Sequence, residues 1–259
     1  MVEREARIAE GPAATMHTGP LGSTIHVLHA DAGTITELAA IDWNRWFPRV
    51  CLDPVLGLVT LMTPSRLHED LGEIFAHIVH GAASAFTGAS KDLRHTRLRG
   101  RNDPPGTGME PDCAFYLGAR ARDYCAALSE GDAAADAFQE RTPLDLVVEA
   151  EITNFDQGKI ARYAEMGVGE LWRLHGRKGT RELRVDFLAL QPGAPPRPLS
   201  ASQVLGGLTP DDVREAAASV RLAVNLEERT EAVARVVRRR RRASVRVREE
   251  ERPYAARSG

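Results

Sequence analysis

Apolar and polar residues follow two different periods along this chain. Leu56-Gly57-Leu58-Val59-Thr60-Leu61-Met62 is a short apolar run closed by Thr63-Pro64, the form of a strand. After it, Leu67, Leu71, Ile74, Ile78 and Ala82 recur at helical spacing and predict a helix over 65–86, with Ser65 able to cap it. Lys91 to Arg99 alternates as a strand, 100–108 reads as a turn-rich loop, and Asp112–Leu117 as the next strand. Residues 118–143 form an insertion with helical content, ended by Pro143. Leu144–Ile152 is the clearest strand in the chain. A helix over 156–166 follows it and stops at Gly167.

Two further strands are expected at Glu170–Leu174 and Arg184–Leu190, joined by a turn at 176–180. The proline-rich 192–198 reads as a linker. Thr209-Pro210-Asp211-Asp212 opens a helix, with proline at the first helical position, that runs toward the arginines at 238–242. Upstream, Thr34-Ile35-Thr36-Glu37 has capping-box spacing and predicts a short helix over 35–42. Residues 1–33 show no sustained period and are expected to be a loosely ordered lead-in with one short strand at 25–28. The chain thus divides into that lead-in, a main domain over 34–200, and a C-terminal helix with an arginine-rich tail over 201–259.

Strand alternation concentrates the chemistry in one stretch. Leu146, Val148, Ala150 and Ile152 share one face, while Val147, Glu149 and Glu151 share the other. Two carboxylates on one face of an apolar strand are costly to bury, because desolvation and mutual repulsion both oppose ionisation. A divalent cation resolves the conflict: Mg²⁺ takes oxygen ligands and needs only one or two protein carboxylates. Asp112, at the start of another strand, is a second candidate ligand. A helix after the strand can bring Lys159 to the same point. A metal that polarises a phosphoryl oxygen, beside an ammonium that orients water, suits phosphodiester hydrolysis. The competing reading puts Glu149 and Glu151 on the solvated face of an edge strand, with Lys159 an ordinary surface residue.

Composition changes the picture in three places. Lysine is scarce, with Lys91, Lys159 and Lys178 against 31 arginines, so a lysine at 159 favours a role for a compact ammonium. The net charge of −2 hides an asymmetry. Residues 230–259 hold ten Arg and four Glu, and the remainder carries 24 basic and 32 acidic residues. An acidic body argues against a module that binds nucleic acid non-specifically over its whole surface. Three cysteines without CxxC spacing fit reduced thiols in a cytoplasm, and the charged first ten residues predict no secretory signal. No apolar run is long enough for a membrane span, so no membrane partner is expected.

Several motifs fall short. His68-Glu69 begins an HExxH pattern, but Gly72 stands where the second histidine is required. His77 and His80 read as surface or edge residues. Gly106-Thr107-Gly108 lacks the third glycine of a nucleotide loop. Tyr163 and Trp172 read as packing residues.

The ordered set Thr63-Pro64-Ser65-Arg66-Leu67-His68, Pro111-Asp112, Leu146-Val147-Val148-Glu149-Ala150-Glu151-Ile152, then Lys159 to Tyr163 and Gly167-Val168-Gly169-Glu170-Leu171-Trp172, resembles the Uma2 family over roughly residues 52–190. That family belongs to the PD-(D/E)XK endonuclease superfamily. The resemblance implies an α/β, restriction-endonuclease-like core: a mixed central β-sheet flanked by helices, here with a C-terminal helical basic tail. It implies DNA as substrate and Mg²⁺ or Mn²⁺ as cofactor. Asp112 and Glu149 would match the acidic motif positions and hold the metal. Glu151 stands where the superfamily pattern has lysine, and Lys159 matches the position to which the lysine has migrated. Glu151 would then be a further ligand or a partner of Lys159. His68 and Glu73 would lie near the site from the first long helix.

Arg238, Arg239, Arg240, Arg241 and Arg242 form a positive block that reads either as a DNA tether or as a solvated extension paired with its own glutamates. Cutting both strands of DNA would favour a homodimer. The leading expectation is a metal-dependent DNA endonuclease; the alternative is a catalytically silent nucleic-acid-binding or interaction protein on the same fold.

Overall fold

The computed structural model describes residues 15–18, 24–41, 49–63, 66–93, 96, 98, 108–151, 157–176 and 183–250. Within them the protein is mixed α/β, built on two sheets and seven helices. The smaller sheet has four antiparallel strands: β1 (Thr15–Thr18), β2 (Thr24–His29), β3 (Arg49–Asp53) and β4 (Leu58–Thr63), ordered β1-β2-β4-β3. Helix α1 (Ala32–Leu38) packs beside β3, with Ile35 fully buried against Val50, Leu52, Val59 and Leu61.

Of the expected lead-in 1–33, residues 15–18 and 24–29 form two strands of this sheet, the second covering the strand expected at 25–28, and the sheet spans the boundary drawn at residue 33. The cap of α1 also differs from expectation. Asp31, not Thr34, caps it, its Oδ1 accepting the Thr34 N–H at 2.9 Å. Aspartate caps well because its side chain satisfies an orphan amide of the first turn.

The larger sheet is mixed, with six strands: β5 (Ser90–Asp92), β6 (Cys113–Leu117), β7 (Leu146–Glu151), β8 (Glu170–Gly176), β9 (Leu183–Ala189) and β10 (Arg197–Leu199). Their order is β10-β9-β8-β7-β6-β5, and only β7 and β8 run parallel. That parallel pair requires a crossover, supplied by α5 (Gln157–Glu165). Glycine 167, at φ +79°, ends α5, while the Val168 N–H reaches back to the Tyr163 carbonyl at 3.0 Å.

Both faces of this sheet are covered. Leu146, Val148 and Ala150 pack with α2 (Arg66–Phe86), α6 (Pro210–Leu222) and α7 (Leu226–Glu250). Val147 packs on the opposite face with Ile160 and Tyr163 of α5 and with α3 (Gly118–Glu130) and α4 (Asp132–Arg141). The alternation read in the sequence is thus real, but both faces are interior. Of the expected strand over Lys91–Arg99, the described residues show the end of β5 and one bridge between Leu98 and Met109, while 94, 95, 97 and 99 lie outside them. The linker at 192–198 ends in a short edge strand, β10.

The C-terminal region is core rather than appendage. Ala232, Val233, Val236 and Val237 of α7 are buried with Val213, Ala216, Ala217 and Val220 of α6. Thr209 and Asp212 form a reciprocal capping box at the start of α6, and the helix breaks before α7 instead of running through. Gly81 of α2 is the point of close approach. A Cβ there would lie 2.7 Å from Val233 Cγ1, so only glycine lets α7 dock at this depth. Among the described residues no helix is long and apolar enough to cross a membrane.

The two sheets are tied through α5. Arg162 and Asp53 are both buried, with Nε and Oδ2 3.5 Å apart, and the other Asp53 oxygen accepts the amides of Val55 and Leu56. The Leu52 and Gly108 backbones also exchange two hydrogen bonds, at 3.2 and 2.7 Å.

Two stability outcomes follow from these contacts. Gly81→Val should force α2 and α7 apart and lower the unfolding free energy by about 1–3 kcal/mol, read from urea denaturation. Asp53→Ala removes one of the carboxylates at the buried Arg162 guanidinium, with Glu165 still 3.2 Å away, and should cost about 1–3 kcal/mol in the same experiment. A midpoint unchanged by either substitution would contradict the corresponding contact.

Candidate metal centre

The candidate site lies where β6 begins and β7 ends. The two strands are antiparallel, with Cys113 opposite Val148 as the last pair, so Asp112 enters the sheet beside the end of β7. Its Oδ2 accepts the Ala150 N–H at 2.6 Å, and the residue is 4% exposed. Glu149 is 5% exposed. The edge-strand reading is therefore overturned for Glu149: β7 is paired on both sides, and α5 covers the face to which this carboxylate points.

Helix α5 supplies two partners from successive turns. The Tyr163 hydroxyl donates to Glu149 Oε1. Lys159 Nζ lies 3.7 Å from Glu149 Oε2, with its side chain 28% exposed. Residues four apart on a helix stack on one face, so Lys159 and Tyr163 can address the same carboxylate. The lysine sits on the solvent side and the phenol in the core. Ionisation of the Tyr163 phenol is pushed well above its ordinary range, first by burial and then by the charge and hydrogen bond of Glu149, with Cys51 and Asp112 adding to it. That both carboxylates raise this one phenol is a second sign that they share a neighbourhood.

The site therefore gathers three of the residues expected from the sequence, Asp112, Glu149 and Lys159. Glu151 ends β7 in register with His175 of β8, and its side chain lies outside the described residues. His68 falls in the first turn of α2, and its side chain too is outside them. Glu73 is turned to a partner of its own. It pairs with Arg229 of α7, because α2 covers the sheet face opposite Glu149.

The arginine block is partly occupied within the chain. Arg239 binds Asp212 and Glu215 at 2.8 Å each, Arg240 binds Asp212 and the Thr209 hydroxyl, and Arg238 pairs with Glu231. Burial raises the Asp212 carboxyl, but hydrogen bonds from Thr209, Arg239 and Arg240 outweigh it and hold the group at about 2. Arg241 and Arg242 are exposed.

Tyr163 is the residue that sequence reasoning misplaced, as packing alone. It does pack, fully buried, yet it also holds Glu149. Its i+4 spacing from Lys159 was the available signal. Trp172 is a packing residue as expected, stacked on Phe187 with ring centroids 4.5 Å apart. Buried Glu170 accepts the Trp172 indole N–H at 2.6 Å and the Gln203 amide at 2.8 Å, so the Gly-Val-x-Glu-x-Trp block pins the 200–208 loop.

The donor set suits a hard divalent cation. Two buried carboxylates offer oxygen ligands, and Mg²⁺ completes its shell with water and substrate oxygens. Among the described residues no group of three or more His, Cys, Asp and Glu is placed to hold a metal by itself. Any ion here would thus rest on the Asp112–Glu149 pair and on groups beyond it. Comparison with known protein families, curated proteins and solved structures finds no match. The class at this point is that of a mixed α/β protein with a buried carboxylate pair faced by an ammonium.

The buried phenols predict an alkaline transition. Tyr116, donating to the Thr142 carbonyl at 2.8 Å, is also raised, first by burial and then by the charges of Tyr124 and Asp145. In the unfolded chain both phenols ionise near the ordinary value of 10.0. The unfolded state then holds fewer protons than the folded one, so stability is intact below that pH and falls above it. Absorbance titration at 295 nm should show Tyr116 and Tyr163 ionising only as the far-UV signal collapses. Reversible ionisation of all four tyrosines in the folded protein would refute this.

Proposed function

We propose that the protein is a divalent-metal-dependent endonuclease that hydrolyses DNA phosphodiester bonds, with a restriction-endonuclease-like core. The observation that carries the proposal is the pair of buried carboxylates, Asp112 and Glu149, from neighbouring strands, with the Lys159 ammonium 3.7 Å from one of them. The mixed six-stranded sheet, covered by helices on both faces, supports the reading, since the resemblance implies a mixed central sheet flanked by helices.

Asp112 and Glu149 would hold Mg²⁺ or Mn²⁺. The chemistry a bound cation supplies is polarisation of the phosphoryl oxygen and a water of lowered pKa. The rest falls to the chain. Asp112 is fixed by the Ala150 amide, so its second oxygen has a set direction. Glu149 is held by Tyr163 from the core side. Lys159, partly exposed at the rim, can orient the attacking water or offset charge gathering on the phosphate. A lysine on the helix serves as well as one on the strand, because only the position of the ammonium matters.

Arg242, exposed on α7, offers a basic group to a phosphate backbone. The engagement of Arg239 and Arg240 with Asp212 weakens the idea of a free five-arginine tether.

The test is cleavage of supercoiled plasmid and single-stranded DNA with Mg²⁺ or Mn²⁺. Wild type should cut, and Glu149→Ala and Lys159→Ala should each reduce the rate by about a hundredfold or more. Cutting that survives Glu149→Ala would reject this site. DNA binding without cutting by the wild type would favour a silent nucleic-acid-binding protein.

A further inference from the structure

We propose that Tyr163 sets which divalent cation the site accepts, by restricting Glu149 to a single coordinating oxygen. The inference rests on the reading of Asp112 and Glu149 as metal ligands and goes beyond it. Tyr163 is fully buried among Ile160, Ala164, Val147 and Leu171, so its ring has no room to swing away. Its hydroxyl occupies Glu149 Oε1, while Lys159 stands beside Oε2. A cation approaching from the solvent side, where the lysine is, meets Oε2 first. The phenol takes one lone-pair site of Oε1 and fixes the tilt of the carboxylate, so presenting both oxygens to a cation means turning Glu149 against a hydrogen bond that water cannot replace in the core.

That constraint separates cations by their coordination habits. Ca²⁺ takes six to eight oxygens at longer distances and gains from bidentate carboxylates, whereas Mg²⁺ and Mn²⁺ are satisfied by one oxygen from each carboxylate. A carboxylate locked from behind therefore penalises Ca²⁺ more than Mg²⁺. Groups that hold a ligand from outside the coordination shell shift metal affinity by about ten- to a hundredfold. Tyr163 is thus a positioning residue whose effect is read in a ratio of affinities. Lys159 acts differently: its charge opposes every cation alike, so its removal should strengthen binding without changing the order of preference.

The experiment is calorimetric titration of the full chain with Mg²⁺, Mn²⁺ and Ca²⁺, for wild type, Tyr163→Phe, Tyr163→Leu, Lys159→Met and Glu149→Gln. Far-UV spectra and metal-free thermal midpoints confirm that each variant is folded. Tyr163→Phe keeps the ring and removes only the hydroxyl. It should move the Ca²⁺ to Mg²⁺ affinity ratio by about tenfold toward Ca²⁺. Tyr163→Leu should move it the same way, and Lys159→Met should leave it within twofold of wild type on the charge argument above.

A ratio unchanged in Tyr163→Phe overturns the proposal, as does an equal change in Lys159→Met. The underlying reading fails separately. Glu149→Gln that binds all three cations as wild type does, or a wild type that binds none, would remove the metal site itself and the selectivity with it.

Discussion

One carboxylate, Glu149, organises the interior of the larger sheet. It sits on a strand paired on both sides, under a helix, and is almost wholly removed from water. A charge in that place is tolerable only with partners, and α5 provides them in two successive turns. The rest of the architecture is arranged around that demand. The crossover that makes β7 and β8 parallel is also the device that returns Lys159 and Tyr163 over the strand. Where α5 lies is therefore both a question of topology and a question of charge.

The same helix binds the two sheets together. Three residues after Lys159 it carries Arg162, paired with Asp53 at the end of β3. A nine-residue helix thus presents one cation to the candidate site and another to the neighbouring sheet. Cys51 of β3 also acts on Tyr163, so the smaller sheet stands close to the phenol that holds Glu149. The small sheet is in this sense a wall of the site, and a buried ion pair fixes its distance. Replacing such a pair with apolar residues can be neutral for stability, so its persistence here is better understood as a registration device than as a source of stability.

The C-terminal helices show how strong local signals can be redirected by packing. Five consecutive arginines read as a surface for polyanions, yet two of them close on Asp212, whose other role is to cap α6. These two arginines gain partners that lie 24 or more positions away, and the apolar stripe of α7, Val233, Val236 and Val237, enters the core beneath α2. Gly81 permits that approach. The Gly-Val-x-Glu-x-Trp block, the most distinctive part of the sequence, likewise serves architecture: Glu170 and Trp172 anchor the 200–208 loop and stay clear of the carboxylate pair.

What could be read from the sequence was local. Period two in Leu146–Glu151, period 3.6 in α2, the proline and capping residues at Thr209 and the glycine at 167 each express steric or hydrogen-bond preferences of a few neighbouring residues. Those preferences located most elements and placed Asp112, Glu149 and Lys159 on the right ones. Only the tertiary structure decided that Glu149 is interior, because a strand with one polar face looks the same from its sequence at an edge and beneath a helix. Only it decided that Tyr163 reaches a carboxylate, that Glu73 turns to Arg229, that β1 and β2 complete a sheet with β3 and β4, and that the arginine-rich helix belongs to the core. The physical reason is common to all four. Each depends on contacts between residues far apart in the chain, where burial and charge pairing outweigh the weak preferences of any single segment.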